Sequence, residues 1–184
     1  MNGPQNPGAG QRAAAARETA RREAQRLARD TGAQTVTRPV LPGGPDMPDV
    51  EPLAGAAAAR DLELASHRTA RDYIARARQA GHDWQHIGTA LGLRPGGDQP
   101  GATPADAAWA YAAGPPETDA PWRPRTFAWT CQACGRAVAD QGPDAGSPQD
   151  AEPGHTADCP GLAAKTAAWD AAWAAIDSEW EPGQ

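Results

Sequence analysis

The chain has 184 residues and a net charge of −6, and 40% of its residues are hydrophobic. Alanine accounts for 43 residues, whereas Leu, Ile, Val and Phe together account for only 16. So few large apolar side chains exclude a single large core, and no stretch matches the roughly 18 apolar residues of a membrane-spanning helix. This composition permits one or two small ordered modules joined by flexible chain.

The cysteine content and the first residues bear on the cellular compartment. Three cysteines are too few for a disulfide scaffold. Residues 1–10 are rich in Gly, Pro and Asn and lack the apolar segment of a secretory leader. We therefore expect a protein of the reducing cytoplasm that has no membrane association.

The N-terminal part is basic and is predicted to be flexible. Residues 1–29 carry six Arg and two Glu, and 11–29 are almost all strong helix formers. Leu27 is the only large apolar residue there, so a helix would have no face to bury. Residues 30–55 contain five Pro and four Gly, which is typical of a linker. We expect residues 1–55 to be a disordered arm and linker outside any core; the arm either lacks a partner or contacts nucleic acid or an acidic partner.

Residues 56–114 are predicted to form a helical module. Apolar residues at spacings of three and four indicate helices over 56–80, 84–91 and 105–113. Residues typical of helix ends separate these segments, namely Asp83, Gly92 and the Thr103-Pro104 pair. We expect Trp109 to lie in a small core between the three helices.

After a second predicted linker over 115–125, residues 126–182 carry a metal-ligand pattern. Cys-x2-Cys is followed by 20 residues and then His-x3-Cys, and the four ligands are Cys131, Cys134, His155 and Cys159. All three cysteines of the chain belong to this pattern, which a scatter of buried thiols does not predict. Two close pairs of such ligands match a tetrahedral Zn²⁺ site, and four protein ligands disfavour a catalytic zinc because no position stays open. A short hairpin is predicted around the first pair, and the order of elements resembles a treble-clef or zinc-ribbon module.

The last predicted helix, over 161–180, has a seam of side chains at spacings of three and four. Its members are Leu162, Thr166, Trp169, Trp173, Ile176 and Trp180. We expect this seam to pack on the small core of the chain, with dimerisation as the alternative. Residues 140–184 carry a charge of −8, which is typical of an interaction tail.

The stretch GHDWQHIGTALGL, residues 81–93, resembles the first part of sigma-like and resolvase-like helix-turn-helix units. That resemblance implies DNA binding through a recognition helix, which here is the third helix. Asp106 is the only charged residue of this helix, so it lacks the side chains that read guanine or adenine edges. Phosphate contacts are therefore assigned to Arg68, Arg71 and Arg78, which alternatively form a solvated face paired with acidic residues.

Residues 60–180 as a whole resemble a group of small proteins of high-GC bacteria that join a helix-turn-helix to a Cys3His zinc module. The group implies no established activity. We expect a zinc-binding, helix-turn-helix-like DNA-binding regulator or accessory factor. The alternative is an adaptor that binds another protein through its Trp-bearing helices and does not bind DNA. No phosphate-binding loop, nucleophile elbow or apolar carboxylate pair is present in the sequence, so we do not expect an enzyme.

Overall fold

The structure, a computed structural model, describes residues 8–39, 44, 46–94, 101–114 and 124–179. The chain divides into two compact units, Met1–Ala70 and Arg71–Gln184. The described residues form six helices and two antiparallel hairpins. The expectation of a mainly helical protein with a small hairpin is therefore confirmed, whereas the sequence-based domain limits stay predictions. No helix in the described ranges is long and apolar enough to cross a membrane.

The first unit begins with α1 (Ala9–Asp30), which contains strong helix formers. Ion pairs one turn apart lie on its exposed side, such as Glu18 with Arg21 at 3.1 Å. Ala24 and Ala28 are buried in a small cluster to which Val50 also belongs. The prediction of no buried face is therefore wrong for the second half of this helix, where the methyl groups of Ala24 and Ala28 pack in that cluster, although most of the helix is exposed.

A hairpin follows where the sequence indicated a flexible linker. Strands β1 (Thr35–Pro39) and β2 (Asp46–Val50) pair antiparallel, with Thr35 opposite Val50. Thr and Val favour strands, and the prolines are tolerated because each strand of a two-stranded sheet has a free edge. The structure therefore differs from the expected linker over 30–55. Residues 1–7, 40–43 and 45, also expected to be flexible, lie outside the described residues, as do residues 115–123 of the second predicted linker.

Three helices follow, α2 (Pro52–Gln79), α3 (Trp84–Leu91) and α4 (Pro104–Ala113). α2 starts four residues before the predicted position because the Glu51 carboxylate accepts hydrogen bonds from the first backbone N–H groups, at 2.8 and 3.0 Å. The caps predicted for the next two helices are confirmed. The Asp83 carboxylate accepts the His86 N–H at 2.7 Å, and Thr103 caps α4.

Aromatic side chains build the core of the second unit. Trp84 contacts Trp109 and Phe127 edge to face, with ring centroids 5.5 and 5.6 Å apart. Ile74, Ile87 and alanines of α4 also belong to this cluster. Trp109 is 8% exposed, so its predicted place in the core is confirmed.

The second hairpin and the last helix complete this unit. Strands β3 (Phe127–Thr130) and β4 (Ala137–Asp140) pair antiparallel and alternate buried and exposed side chains. They are followed by the short α5 (Pro148–Ala151) and by α6 (Pro160–Glu179).

The predicted packing of the α6 seam is only partly right. Leu162 packs against the core, but Trp169, Trp173 and Ile176 are 37%, 50% and 50% exposed. A helix of this length spans about 30 Å, and all its residues from Ala167 to Ser178 are exposed. Trp180 lies outside the described residues.

Helices α3 and α4 approach each other most closely at Gly88. A Cβ built on Gly88 would lie 2.0 Å from the backbone carbonyl oxygen of Pro104. Backbone atoms cannot move aside as a flexible side chain can, so only glycine permits this approach.

Gly88→Ala is expected to lower the free energy of unfolding by about 1–3 kcal/mol, because the added methyl group forces α3 and α4 apart. Thr89→Ala, at the next and exposed position of α3, is the control and should change stability little. Chemical denaturation followed by tryptophan fluorescence measures both. Equal stability of the two variants would contradict the close approach.

Candidate metal centre

The first two candidate ligands lie in the turn between β3 and β4. The Gly135 N–H donates to the Cys131 carbonyl oxygen at 2.8 Å, and the Cys131 N–H donates to the Arg136 carbonyl oxygen at 2.9 Å. Gly135 has φ of 68°, a left-handed conformation that glycine adopts without strain. This tight turn brings Cys134 back towards Cys131, as the Cys-x2-Cys spacing predicts.

The segment that precedes the second ligand pair, residues 151–153, is hydrogen-bonded to β4 and the residue after it. The Ala139 N–H donates to the Pro153 carbonyl oxygen at 2.9 Å, and the Gln141 N–H donates to the Ala151 carbonyl oxygen at 2.7 Å. Gly154 has φ of 115°, and a Cβ there would lie 2.4 Å from the Ala137 carbonyl oxygen. The chain therefore passes β4 in close contact and places the next residue, His155, beside the Cys-x2-Cys turn.

Cys159, which directly precedes α6, lies beside the same turn. Its N–H donates to the Thr156 carbonyl oxygen at 3.1 Å, and its carbonyl oxygen accepts the N–H of Ala163 at 3.0 Å. A tight turn at Cys159 therefore leads directly into α6, which begins at Pro160.

The four candidate ligands converge, with their ligand atoms all within 4.8 Å of one another. The Sγ atoms of Cys131 and Cys159 are 3.8 Å apart, and His155 Nδ1 lies 3.6 Å from Cys134 Sγ and 3.3 Å from Cys159 Sγ. A tetrahedral Zn²⁺ with Zn–S of about 2.3 Å and Zn–N of about 2.0 Å requires about 3.8 Å between sulfurs and about 3.5 Å between sulfur and nitrogen. These residues therefore form a Cys3His group that can hold a metal ion, and its dimensions fit zinc.

The surroundings shift the pKa values of two thiols in opposite directions. Backbone N–H groups of Thr156 and Arg136 lower the pKa of Cys134 to about 6. The Leu162 N–H favours the thiolate of Cys159, but burial and the neighbouring thiols outweigh it and raise the pKa of Cys159. Without a metal, Cys134 is therefore ready to bind at neutral pH, whereas Cys159 must lose a proton to become a ligand.

A buried ion network lies beside the ligands. Arg78, near the end of α2, pairs with Asp140 at 2.8 Å and with Glu152, and the three side chains are 5%, 1% and 6% exposed. Arg78 Nη1 also donates to the His82 carbonyl oxygen at 2.9 Å. Lys165 Nζ lies 2.7 and 2.8 Å from the two Glu152 carboxylate oxygens. Two cations therefore balance two carboxylates in the interior of this unit.

Tryptophans enclose the same network. The indole N–H groups of Trp84 and Trp129 donate to Asp140 at 3.1 and 3.2 Å. The Arg78 guanidinium lies over both rings, 5.1 and 5.6 Å from their centroids. Lys165 Nζ lies 5.1 Å from the Trp129 ring centroid.

The structure corrects the interpretation of Arg78 as a phosphate contact. Its guanidinium is buried between two carboxylates, so it does not share a surface with the other two arginines assigned to DNA. Arg68 and Arg71 are both exposed on α2, and the Arg71 guanidinium lies 5.8 Å from the Phe127 ring centroid. The sequence offered little sign of this network; Lys165 stood out only as the single lysine of the chain.

Comparisons of the chain with protein-family models, with curated proteins and with solved structures find no match. The resemblance to helix-turn-helix proteins and the treble-clef or zinc-ribbon description therefore stay predictions.

Arg78→Met is expected to lower the free energy of unfolding by about 3–5 kcal/mol, because it leaves buried carboxylates without their shared cation. Arg76→Met is the matched control, since Arg76 is exposed on the same turn of α2. Urea denaturation of both variants in zinc-containing buffer measures the effect. A stability of Arg78→Met equal to that of Arg76→Met would show that the ion network does not hold this unit together.

Proposed function

We propose that this chain is a zinc-binding protein in which Cys131, Cys134, His155 and Cys159 hold a structural Zn²⁺. The supporting observation is the convergence of three Sγ atoms and one Nδ1 atom within 4.8 Å of one another, with Sγ–Sγ of 3.8 Å for Cys131 and Cys159 and Sγ–Nδ1 of 3.6 Å for Cys134 and His155. Four protein ligands fill the coordination shell, so no position is left at which the metal would activate water. On this proposal the protein is not an enzyme.

The elements around the site explain why a metal would be needed. Strands β3 and β4 have four residues each, and α5 also has four. An isolated hairpin of this size is marginal in water. Bound Zn²⁺ would join the hairpin turn to the start of α6 and would contribute directly to the free energy of folding.

Purified protein is expected to contain one Zn²⁺ per chain, and Cys131→Ser is expected to lose most of it. Thr130→Ser, at the neighbouring exposed position, is the control and should keep the metal. Elemental analysis under reducing conditions measures the zinc content. A chelator should lower the thermal midpoint of the wild type and of the control, but not that of Cys131→Ser. Absence of stoichiometric metal in the wild type would contradict the zinc site.

We further propose that the zinc-stabilised unit acts as an adaptor for another protein. Trp169, Trp173 and Ile176 expose apolar surface along one side of α6, in a region of the chain with a strong negative charge. Exposed tryptophans are typical of protein interfaces, where they supply much of the binding energy. A partner with an apolar surface edged by basic residues would complement this helix.

DNA binding is the second candidate, and the resemblance of residues 81–93 to helix-turn-helix units is what favours it. Arg68 and Arg71 would supply phosphate contacts, whereas Arg78 is engaged inside the protein. Helix α4 carries no Lys or Arg, so such binding would be weak, tolerant of sequence and steeply salt-dependent.

Two measurements separate these candidates. The tagged full-length protein is recovered from its native host after nuclease treatment, and a protein partner is expected that Trp173→Ala no longer retains. Leu64→Ala is the control, because Leu64 is also an exposed apolar residue but lies on α2. A salt titration with several unrelated DNA duplexes is expected to detect no binding. Binding to the duplexes, together with loss of the partner on nuclease treatment, would favour the DNA-binding regulator instead.

A further inference from the structure

Glu152 occupies an unusual position for a carboxylate, because it is buried between the ion network and a metal ligand. Glu152 directly follows the last residue of α5, and its side chain is 6% exposed. Its Oε2 atom lies 3.3 Å from Nε2 of His155, whose side chain is 2% exposed. Lys165 and Arg78 contact the same carboxylate.

The two nitrogens of His155 face different groups. Nδ1 points to the sulfurs of Cys134 and Cys159, at 3.6 and 3.3 Å, whereas Nε2 points to Glu152. A neutral imidazole carries one proton, and only the unprotonated nitrogen can bind a metal. A carboxylate at Nε2 favours the proton on that nitrogen and so leaves the Nδ1 lone pair directed at the three thiols.

We propose that Glu152 is the positioning residue of the metal centre: it holds His155 in the Nε2–H tautomer and fixes the orientation of its ring. This inference rests on the proposed zinc site. Metal-bound histidines commonly donate their second N–H to a carboxylate, which fixes the ring and increases its basicity. The two cations have a defined part in this arrangement, because Arg78 and Lys165 both donate to the Glu152 carboxylate and so hold it beside the imidazole.

The variant that tests this role is Glu152→Gln, which keeps the size of the side chain and removes its charge. Competition with a chromophoric chelator, using Zn²⁺ alone and the full-length chain, is expected to show about 10–100-fold weaker binding. Asp150→Asn is the matched control, because Asp150 is an exposed acid on α5 whose contact is with Ser147, at 2.8 Å. This control is expected to bind Zn²⁺ as the wild type does.

A second measurement is made first on the wild type, so its main result does not depend on whether the variant folds. Nitrogen-15 NMR of the zinc-loaded wild type is expected to show His155 protonated at Nε2, with this proton protected from exchange, and metal-bound at Nδ1. In Glu152→Gln the Nε2 proton is expected to exchange faster. Metal at Nε2 in the wild type, unchanged zinc affinity in Glu152→Gln, or an equally protected proton in that variant would each overturn the proposal. Because the wild type is measured first, failure of zinc binding itself is distinguished from failure of the role of Glu152.

Discussion

Arg78 reaches from α2 to Asp140 at the end of β4 and to Glu152 after α5, and all three side chains are almost completely buried. Burying charges costs free energy unless every charged atom finds a partner. That condition is met here, because in the described part of the chain no buried side-chain nitrogen or oxygen lacks a hydrogen bond. Few arrangements of these elements would satisfy all the partners at once, so the network restricts how the elements of the second unit pack.

The aromatic core depends on the same charges. A buried tryptophan needs an acceptor for its indole N–H, and Trp84 and Trp129 both use Asp140. The guanidinium of Arg78 in turn lies over both rings. The apolar cluster and the ion network are therefore parts of one packing arrangement. A chain so poor in large aliphatic residues gains from this, because each tryptophan contributes apolar area and a hydrogen bond together.

The features that could be predicted from the sequence are those that depend on residues close to one another in the chain. Caps such as Asp83 and the two ligand pairs depend on neighbours three or four residues away, so their spacing already encodes their geometry. Arg78 and its partners are 62 and 74 residues apart, and nothing in the acidic loop around Glu152 distinguishes that residue from exposed acids. The apolar seam around Trp173 showed which side chains share a side of α6, but the amount of core available to cover them depends on the whole fold.

The Cys3His group and the ion network meet in one short segment, and this explains how a module with so small an apolar core can be ordered. Residues 151–153 are hydrogen-bonded along β4, and Glu152 and His155 lie only three positions apart. Glu152 contacts Arg78 and Lys165, and His155 contacts the thiols of Cys134 and Cys159. A displacement of the segment would therefore disturb both sets of partners, because the backbone between them is too short to move independently. The Cys3His group and the Arg78 network should then form and break as a single cooperative unit. In this unit, polar contacts supply the order that a larger apolar core supplies in other small domains.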